Sequence, residues 1–146
     1  MARARLERTI RFRAHHHYRL PDRSEFENRA LFGDLVEPHP HTWAVTFVAE
    51  GEMADVTGFS VDLRALEELV FRLTKGWDGA DLNEVIPEVR SGTMLPSCEA
   101  LAQWLHESAS GQMPEGAVLV RVRVAESEDI AATYPPPSEP GRPSDD

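Results

Sequence analysis

Four stretches of the chain alternate or cluster apolar residues in the manner of strands. Between Thr9 and His17, Ile10, Phe12 and Ala14 fall on one face at a period of two. Thr42 to Glu50 (TWAVTFVAE) is rich in β-branched and aromatic residues and predicts a second strand. Ala117 to Glu126 carries Val118, Val120, Val122 and Val124 in alternation with Leu119, Arg121 and Arg123, and a short strand is expected over Ala131–Tyr134. The period changes between Leu63 and Leu73, where Leu63, Leu66, Leu69, Val70 and Leu73 recur at helical spacing behind Asp62, a candidate N-cap. Ser97 is placed to cap a second helix whose apolar side includes Leu101, Trp104 and Leu105.

Pro21 to Pro40 shows no sustained period and is rich in Asp, Ser, Asn, Gly and Pro, which predicts a loop. Gly51 to Gly58 reads as a connection. The order predicts an α+β fold, an antiparallel sheet with two helices on one face. Residues 1–134 are expected to form a single domain, and the proline-rich tail 135–146 (PPPSEPGRPSDD) to be disordered.

Composition narrows the function classes. The 146 residues are 41% hydrophobic and 27% charged, as in a soluble globular protein, and are enough to bury a core. A formal charge of −10 argues against a nucleic-acid partner, which calls for a basic face. No apolar run approaches the roughly 20 residues that cross a bilayer, and the charged N-terminus lacks the apolar core of a signal peptide. With one cysteine, Cys98, there is no internal disulfide and no multi-cysteine zinc site. A cytoplasmic protein with a small-molecule substrate and no membrane association is the expectation.

Five of the six histidines lie between positions 15 and 41. His39-Pro40-His41 places two imidazoles two residues apart, on one face of an extended backbone. Neutral imidazole is a preferred zinc ligand, and three protein ligands with an open position is the usual catalytic arrangement. A third ligand could come from His15, His16 or His17. Alternation sets His16 with Phe12 and Ala14, and His15 with His17 on the opposite face; it does not choose among the three.

Six short blocks resemble one known family. They are Phe12-Arg13-Ala14-His15-His16, similar to F-x-A-x-H; Asn28 to Gly33 leading into His39-Pro40-His41, similar to the loop before H-G-H; and Gly58 to Leu66, similar to G-M-[IV]-x-D-F-x-x-L. Asp78 to Asn83 is similar to D-H-x-x-L-N, Pro96 to Leu105 to P-T-x-E-N-x-A-x-W-[IL], and Val122 to Ser127 with Tyr134 to V-x-V-x-E-T ending in Tyr. Together they identify the chain as a member of the 6-pyruvoyl-/6-carboxytetrahydropterin synthase family (T-fold, or tunnelling fold). The resemblance implies subunits assembled into a barrel, commonly a hexamer, with Zn2+ on His16, His39 and His41. It implies that Glu126 anchors the aminopyrimidine edge of a planar ring, and it sets Glu99 in a block that can face the ligand.

The chain departs from the family where protons move. The catalytic Cys position, four residues before the first His of H-G-H, is Leu35, and the His after the Asp of D-H-x-x-L-N is Gly79. Asp78 alone remains of the three. Glu37 is the favoured replacement, because some family variants place a glutamate near the missing cysteine. Cys98 belongs to a different block and is not the missing nucleophile. The expected function is a zinc-dependent lyase-type synthase or cyclase acting on a divergent substrate, for example the condensation of a carbonyl compound or sugar phosphate with an aromatic amine. The alternatives are an authentic 6-carboxytetrahydropterin synthase acting on 7,8-dihydroneopterin triphosphate, and a catalytically dead zinc-binding or assembly protein.

Overall fold

In the computed structural model, which describes residues 1–138, five strands form one sheet in the order β3-β1-β2-β4-β5. β1 (Arg3–His16) and β2 (His39–Glu52) pair antiparallel along their whole length, from Arg3 opposite Glu52 to His16 opposite His39. β2 pairs antiparallel with β4 (Val118–Ala125), which pairs antiparallel with β5 (Ala131–Tyr134). Only the two-residue β3 (Ala80–Asp81) runs parallel, against Ala14 and His15. The expected α+β architecture with a mainly antiparallel sheet is the observed one.

Two long helices, α2 (Leu63–Thr74) and α5 (Cys98–Ser110), supply the apolar layer that covers one face. Each begins at the residue the sequence nominates. Asp62 accepts the Ala65 N–H at 3.1 Å and Ser97 that of Ala100 at 3.1 Å, satisfying donors that a helix start leaves unpaired. Leu66, Leu69 and Val70 of α2 and Leu101, Ala102 and Leu105 of α5 pack in one cluster with Phe12, Trp43, Val45, Phe47, Val122 and Val124. Burial of every second residue on the strands follows from the pleat.

The segment 21–40, expected to be a loop, is largely helical. It contains α1 (Glu25–Phe32) and a 3-10 turn (Gly33–Val36). Ser24 accepts the Glu27 N–H at 3.1 Å as N-cap, and its hydroxyl donates to the Glu27 carboxylate at 3.2 Å. Gly33, at φ 59°, ends the helix in a conformation that side-chain-bearing residues rarely adopt. The buried Asn28 ties the segment down, accepting the Leu20 N–H at 2.7 Å and donating to the Leu20 carbonyl at 3.2 Å. The helix lacks an apolar stripe because it holds itself by caps, this amide and ion pairs, so hydrophobic periodicity could not reveal it. Two further one-turn helices, α3 (Leu82–Val85) and α4 (Pro87–Arg90), occupy the connection before α5.

β4 also departs from simple alternation. Arg121 pairs with Val48 and Leu119 with Ala49, so Val120 is an extra residue in a bulge. The slip turns Leu119 into the core and leaves Val118 exposed. Of the tail expected to be disordered, residues 139–146 lie outside the described residues.

Candidate metal centre

The β1–β2 ladder assembles the histidines. His16 stands opposite His39 and Ala14 opposite His41, and residues directly opposite in an antiparallel pair point to the same face. Because Phe12 and Ala14 face the helices, so does His16, and the two histidines of β2 join it there. The three imidazoles each offer a ligand atom, all within 4.8 Å of one another. Ring centroids are 4.5 Å apart for His16 and His39, 5.0 Å for His16 and His41, and 5.1 Å for His39 and His41. His15 points away and is exposed, whereas His17 is tied through its backbone to the Asn83 side chain.

Two backbone carbonyls set the tautomers. His16 Nδ1 lies 2.9 Å from the Pro96 carbonyl, and His39 Nδ1 lies 2.8 Å from that of Glu37. A carbonyl only accepts, so each Nδ1 carries the hydrogen and each Nε2 presents a lone pair. Burial pushes the His16 pKa down from 6.5 to about 4 against the pull of the Pro96 carbonyl, with the neighbouring histidines adding to the fall. Burial likewise lowers His41, with Glu126 opposing. At neutral pH His16 is therefore uncharged.

Glu126 reaches this cluster directly. Its Oε2 lies 3.2 Å from His16 Nε2 and 3.4 Å from His41 Nε2. With His16 neutral, the first contact is not an ion pair but an approach of two acceptors. Both atoms, His16 Nε2 and Glu126 Oε2, are buried without a hydrogen-bond partner. Buried acceptors left unpaired are costly, and convergent lone pairs satisfy themselves on a cation. The donor set, three imidazoles, two of them fixed by carbonyl hydrogen bonds, with a carboxylate alongside, fits a zinc ion.

The surroundings hold these rings in place. Trp43 packs beneath, with ring centroids 4.8 Å from His16 and 5.6 Å from His41, and its Nε1–H donates to the Ala14 carbonyl at 3.1 Å. Tyr18 covers the other side, 5.0 Å from His16 and 6.3 Å from His39, and leans on Phe32 of α1 at 5.8 Å. Burial, reinforced by the Glu126 charge, keeps its hydroxyl protonated well beyond the ordinary tyrosine range. Tyr18 was not singled out by the sequence reading. Its only signal is its place two residues after His16.

The remaining candidates are spread more widely. The Glu37 carboxylate pairs with Arg29 of α1, so this residue meets the cluster only through its backbone carbonyl. Glu99 is exposed in the first turn of α5 and makes no hydrogen bond or ion pair with the histidines among the described residues. Asp78 is exposed and accepts the Arg13 backbone N–H at 3.1 Å. It borders a depression of about 370 Å³ between β1 and α2, lined also by Arg8, Glu67 and Phe71. His41 and Glu126 instead border a separate depression of about 600 Å³. Cys98 is buried, which pushes its thiol pKa up to about 11 and leaves it protonated. The three tryptophans belong to the core or its margin, with Trp43 and Trp77 buried and Trp104 packed against it.

The sequence pattern of the 6-pyruvoyl tetrahydropterin synthase family matches residues 5–137. The chain belongs to that family. Among solved structures it is similar to the 6-pyruvoyl tetrahydropterin synthase of Caenorhabditis elegans, with a TM-score of 0.82 at 24% identity over 92% of this chain and 96% of that one. It also resembles the Plasmodium vivax 6-pyruvoyltetrahydropterin synthase, studied as a mutant in which a glutamate called a catalytic residue is replaced by cysteine, with a TM-score of 0.60 at 14% identity over 91% and 97% of the two chains. An uncharacterised protein from Wolinella succinogenes shares the fold at a TM-score of 0.65 and 13% identity, over 91% and 98%. The T-fold expected from the sequence blocks is thus the fold of this family member. Among the described residues no helix is long and apolar enough to cross a membrane.

The depressed His16 pKa gives the metal-free protein a definite acid sensitivity. Its folded value, about 4, lies below the ordinary 6.5, so between these limits the unfolded chain binds a proton that the folded chain refuses. Stability is unaffected by this group above pH 6.5 and falls as the pH drops towards 4. Thermal unfolding of chelator-treated protein across that range should show a declining Tm, beyond the decline of a His16→Gln variant. Parallel declines would contradict the assignment.

Proposed function

We propose that this protein is a zinc-dependent synthase or cyclase in which His16, His39 and His41 hold one metal ion and Glu126 binds the substrate beside it, the substrate differing from the family's dihydroneopterin triphosphate. The observation that carries the reading is the convergence of three imidazoles, two of them oriented by backbone carbonyls, on one point next to the buried Oε2 of Glu126. When bound, zinc supplies Lewis acidity towards a carbonyl or a pair of vicinal hydroxyls. The Glu126 carboxylate accepts N–H groups from a planar, nitrogen-bearing ligand and fixes its orientation. Tyr18 and Trp43 wall the cluster and exclude water from its inner side.

Proton transfer falls to Glu37 and Asp78. Glu37 stands two residues before His39, and a shift away from Arg29 would free its carboxylate; the catalytic glutamate named for the Plasmodium vivax enzyme supports a glutamate in this role. Asp78 lies beside β1, which carries a strand on that side only at Ala14 and His15 among the described residues. An unpaired strand edge seeks a partner. Assembly of copies along that edge, into a ring and commonly a hexamer as the family resemblance implies, would bring Asp78 to a neighbour's site. Light scattering should find an oligomer; a monomer at every accessible concentration would contradict this.

The reading is tested by turnover of 7,8-dihydroneopterin triphosphate on the zinc-loaded protein. Leu35 carries no exchangeable proton and Gly79 no side chain, and each lost acid–base group costs about 10²–10⁴-fold. Turnover should be very slow or absent. Gly79 sits at φ 79°, with its N–H bonded to the Arg13 carbonyl at 2.7 Å, so this position is shaped for glycine and Gly79→His would be strained. Ordinary synthase rates in the unmodified protein would overturn the divergent-substrate assignment.

A further inference from the structure

The segment that follows β1 is held more firmly than a connection requires. Asn83 closes on the His17 backbone, accepting its N–H at 2.9 Å and donating to its carbonyl at 3.0 Å. Asn28 does the same for Leu20, at 2.7 and 3.2 Å. Between these two clamps the Tyr18 N–H donates to the Leu35 carbonyl at 2.9 Å. Residues 17–20 are thereby fixed against α1, the 3-10 turn and α3. The side chain presented from this fixed backbone is that of Tyr18. A group held in this way has little freedom left to lose when a ligand arrives.

The Tyr18 ring is packed, but its hydroxyl is not used. The ring lies across His16 at 5.0 Å and His39 at 6.3 Å, and leans on Phe32 at 5.8 Å. Phenylalanine would supply all three contacts. The hydroxyl makes no hydrogen bond among the described residues, whereas a tyrosine O–H in a partly buried setting normally finds a partner. Unlike His16 Nε2 and Glu126 Oε2, it is not sealed from solvent, so a ligand can reach it. Glu126 is its neighbour across His16. The carboxylate Oε2 lies 3.2 Å from His16 Nε2, Tyr18 covers the same imidazole, and the Glu126 charge bears on the hydroxyl. The site therefore carries an acceptor and, beside it, a donor without a partner.

We propose that Tyr18 is a specificity-determining residue whose hydroxyl donates a hydrogen bond to a ring carbonyl of the planar ligand, next to the N–H that Glu126 accepts. This rests on the function proposed above, in which Glu126 orients such a ligand. A donor and an acceptor side by side read the complementary pair, an N–H adjoining a C=O, which is the edge of a cyclic amide. A ring with an amino group in place of the carbonyl sets donor against donor and leaves the phenol unpaired, the kind of mismatch a polar site rejects most strongly. The phenol acts in its neutral form and transfers no proton.

Fluorescence titration of pterin and of 4-thiopterin tests this in the parent, Tyr18→Phe and Glu126→Gln, each with and without added zinc. Both probes offer Glu126 the same N–H; they differ in the neighbouring acceptor, because sulfur is a weak one. The parent should prefer pterin by about tenfold, the effect of one neutral hydrogen bond. Tyr18→Phe keeps the ring contacts and should retain zinc content and Tm. Its affinity for pterin should fall by about tenfold and that for 4-thiopterin hardly change, so the preference disappears. Glu126→Gln should weaken both probes and leave the preference in place. Three results overturn the assignment: no binding of pterin by the parent, a parental preference kept in Tyr18→Phe, or an equal loss of both probes in that variant, which marks a packing role only. Failure to load zinc, with the preference present in the parent and lost in Tyr18→Phe, would remove the proposed function and leave the assignment of Tyr18 standing.

Discussion

Replacing His39 or His41 by alanine strips the metal: the parent should carry about one zinc per chain and each variant close to none. Each imidazole occupies a corner of a cluster no wider than 4.8 Å, and no fourth histidine points into it, since His15 faces the other side. Two imidazoles leave an incomplete site. Loss of His41 also removes one of the two Nε2 atoms that face the Glu126 carboxylate, whereas loss of His39 leaves both of those contacts in place. Neither histidine is fully buried, and both lie at the end of the β1–β2 ladder, so the fold should persist. Elemental analysis alongside circular dichroism separates metal loss from unfolding. Full zinc occupancy in both folded variants would remove the assignment.

Trp43→Ala should cause the largest loss of stability of any single change near the site, about 3–5 kcal/mol. The side chain is fully buried, lies parallel to Phe12 with centroids 6.3 Å apart, and abuts His16 and His41. Truncation leaves a cavity that the paired strands cannot close, because β2 is held by β1 on one side and by β4 beyond. It also strips the Ala14 carbonyl of the indole N–H. For a chain of this size the Tm should fall by roughly 10 °C or more. Zinc affinity should fall with it, since His16 and His41 lose the surface against which they are oriented. Trp43→Phe keeps most of the packing and should cost markedly less. A loss under about 1 kcal/mol in denaturant titration of Trp43→Ala would show that the tryptophan does not organise this end of the core.

How far the sequence reached differs from element to element. β1 and β2 were legible because alternation is a local signal: Phe12, Ala14 and His16 share a face in the sequence and in the fold. Asp62 and Ser97 were legible as caps because a side-chain oxygen at a helix start acts within three residues. The same local logic existed for α1 in Ser24 and Glu27, but without an apolar stripe it was outweighed by the loop-like composition around it. The bulge at Val120 was not legible at all. Nothing in a run of valines marks which of them is extra; the partner strand decides that.

The residue types alone fixed much of the chemistry on offer: the histidines that could be ligands, the face His16 occupies, and the absence of a cysteine at Leu35 and a histidine at Gly79. The tertiary structure decided what these groups meet. Pairing of β1 with β2 brought His16 to His39, across 22 intervening residues, and the end of β4 brought Glu126 against both His16 and His41. The packing of the other elements placed Tyr18 over the cluster, paired Glu37 with Arg29, and set Asp78 in a different depression from that of His41 and Glu126. Periodicity and capping act over a few residues, so one chain segment displays them by itself. Register, bulges and the ends of strands are settled by the free energy of burying a whole core, and that sum is written in no single stretch of sequence.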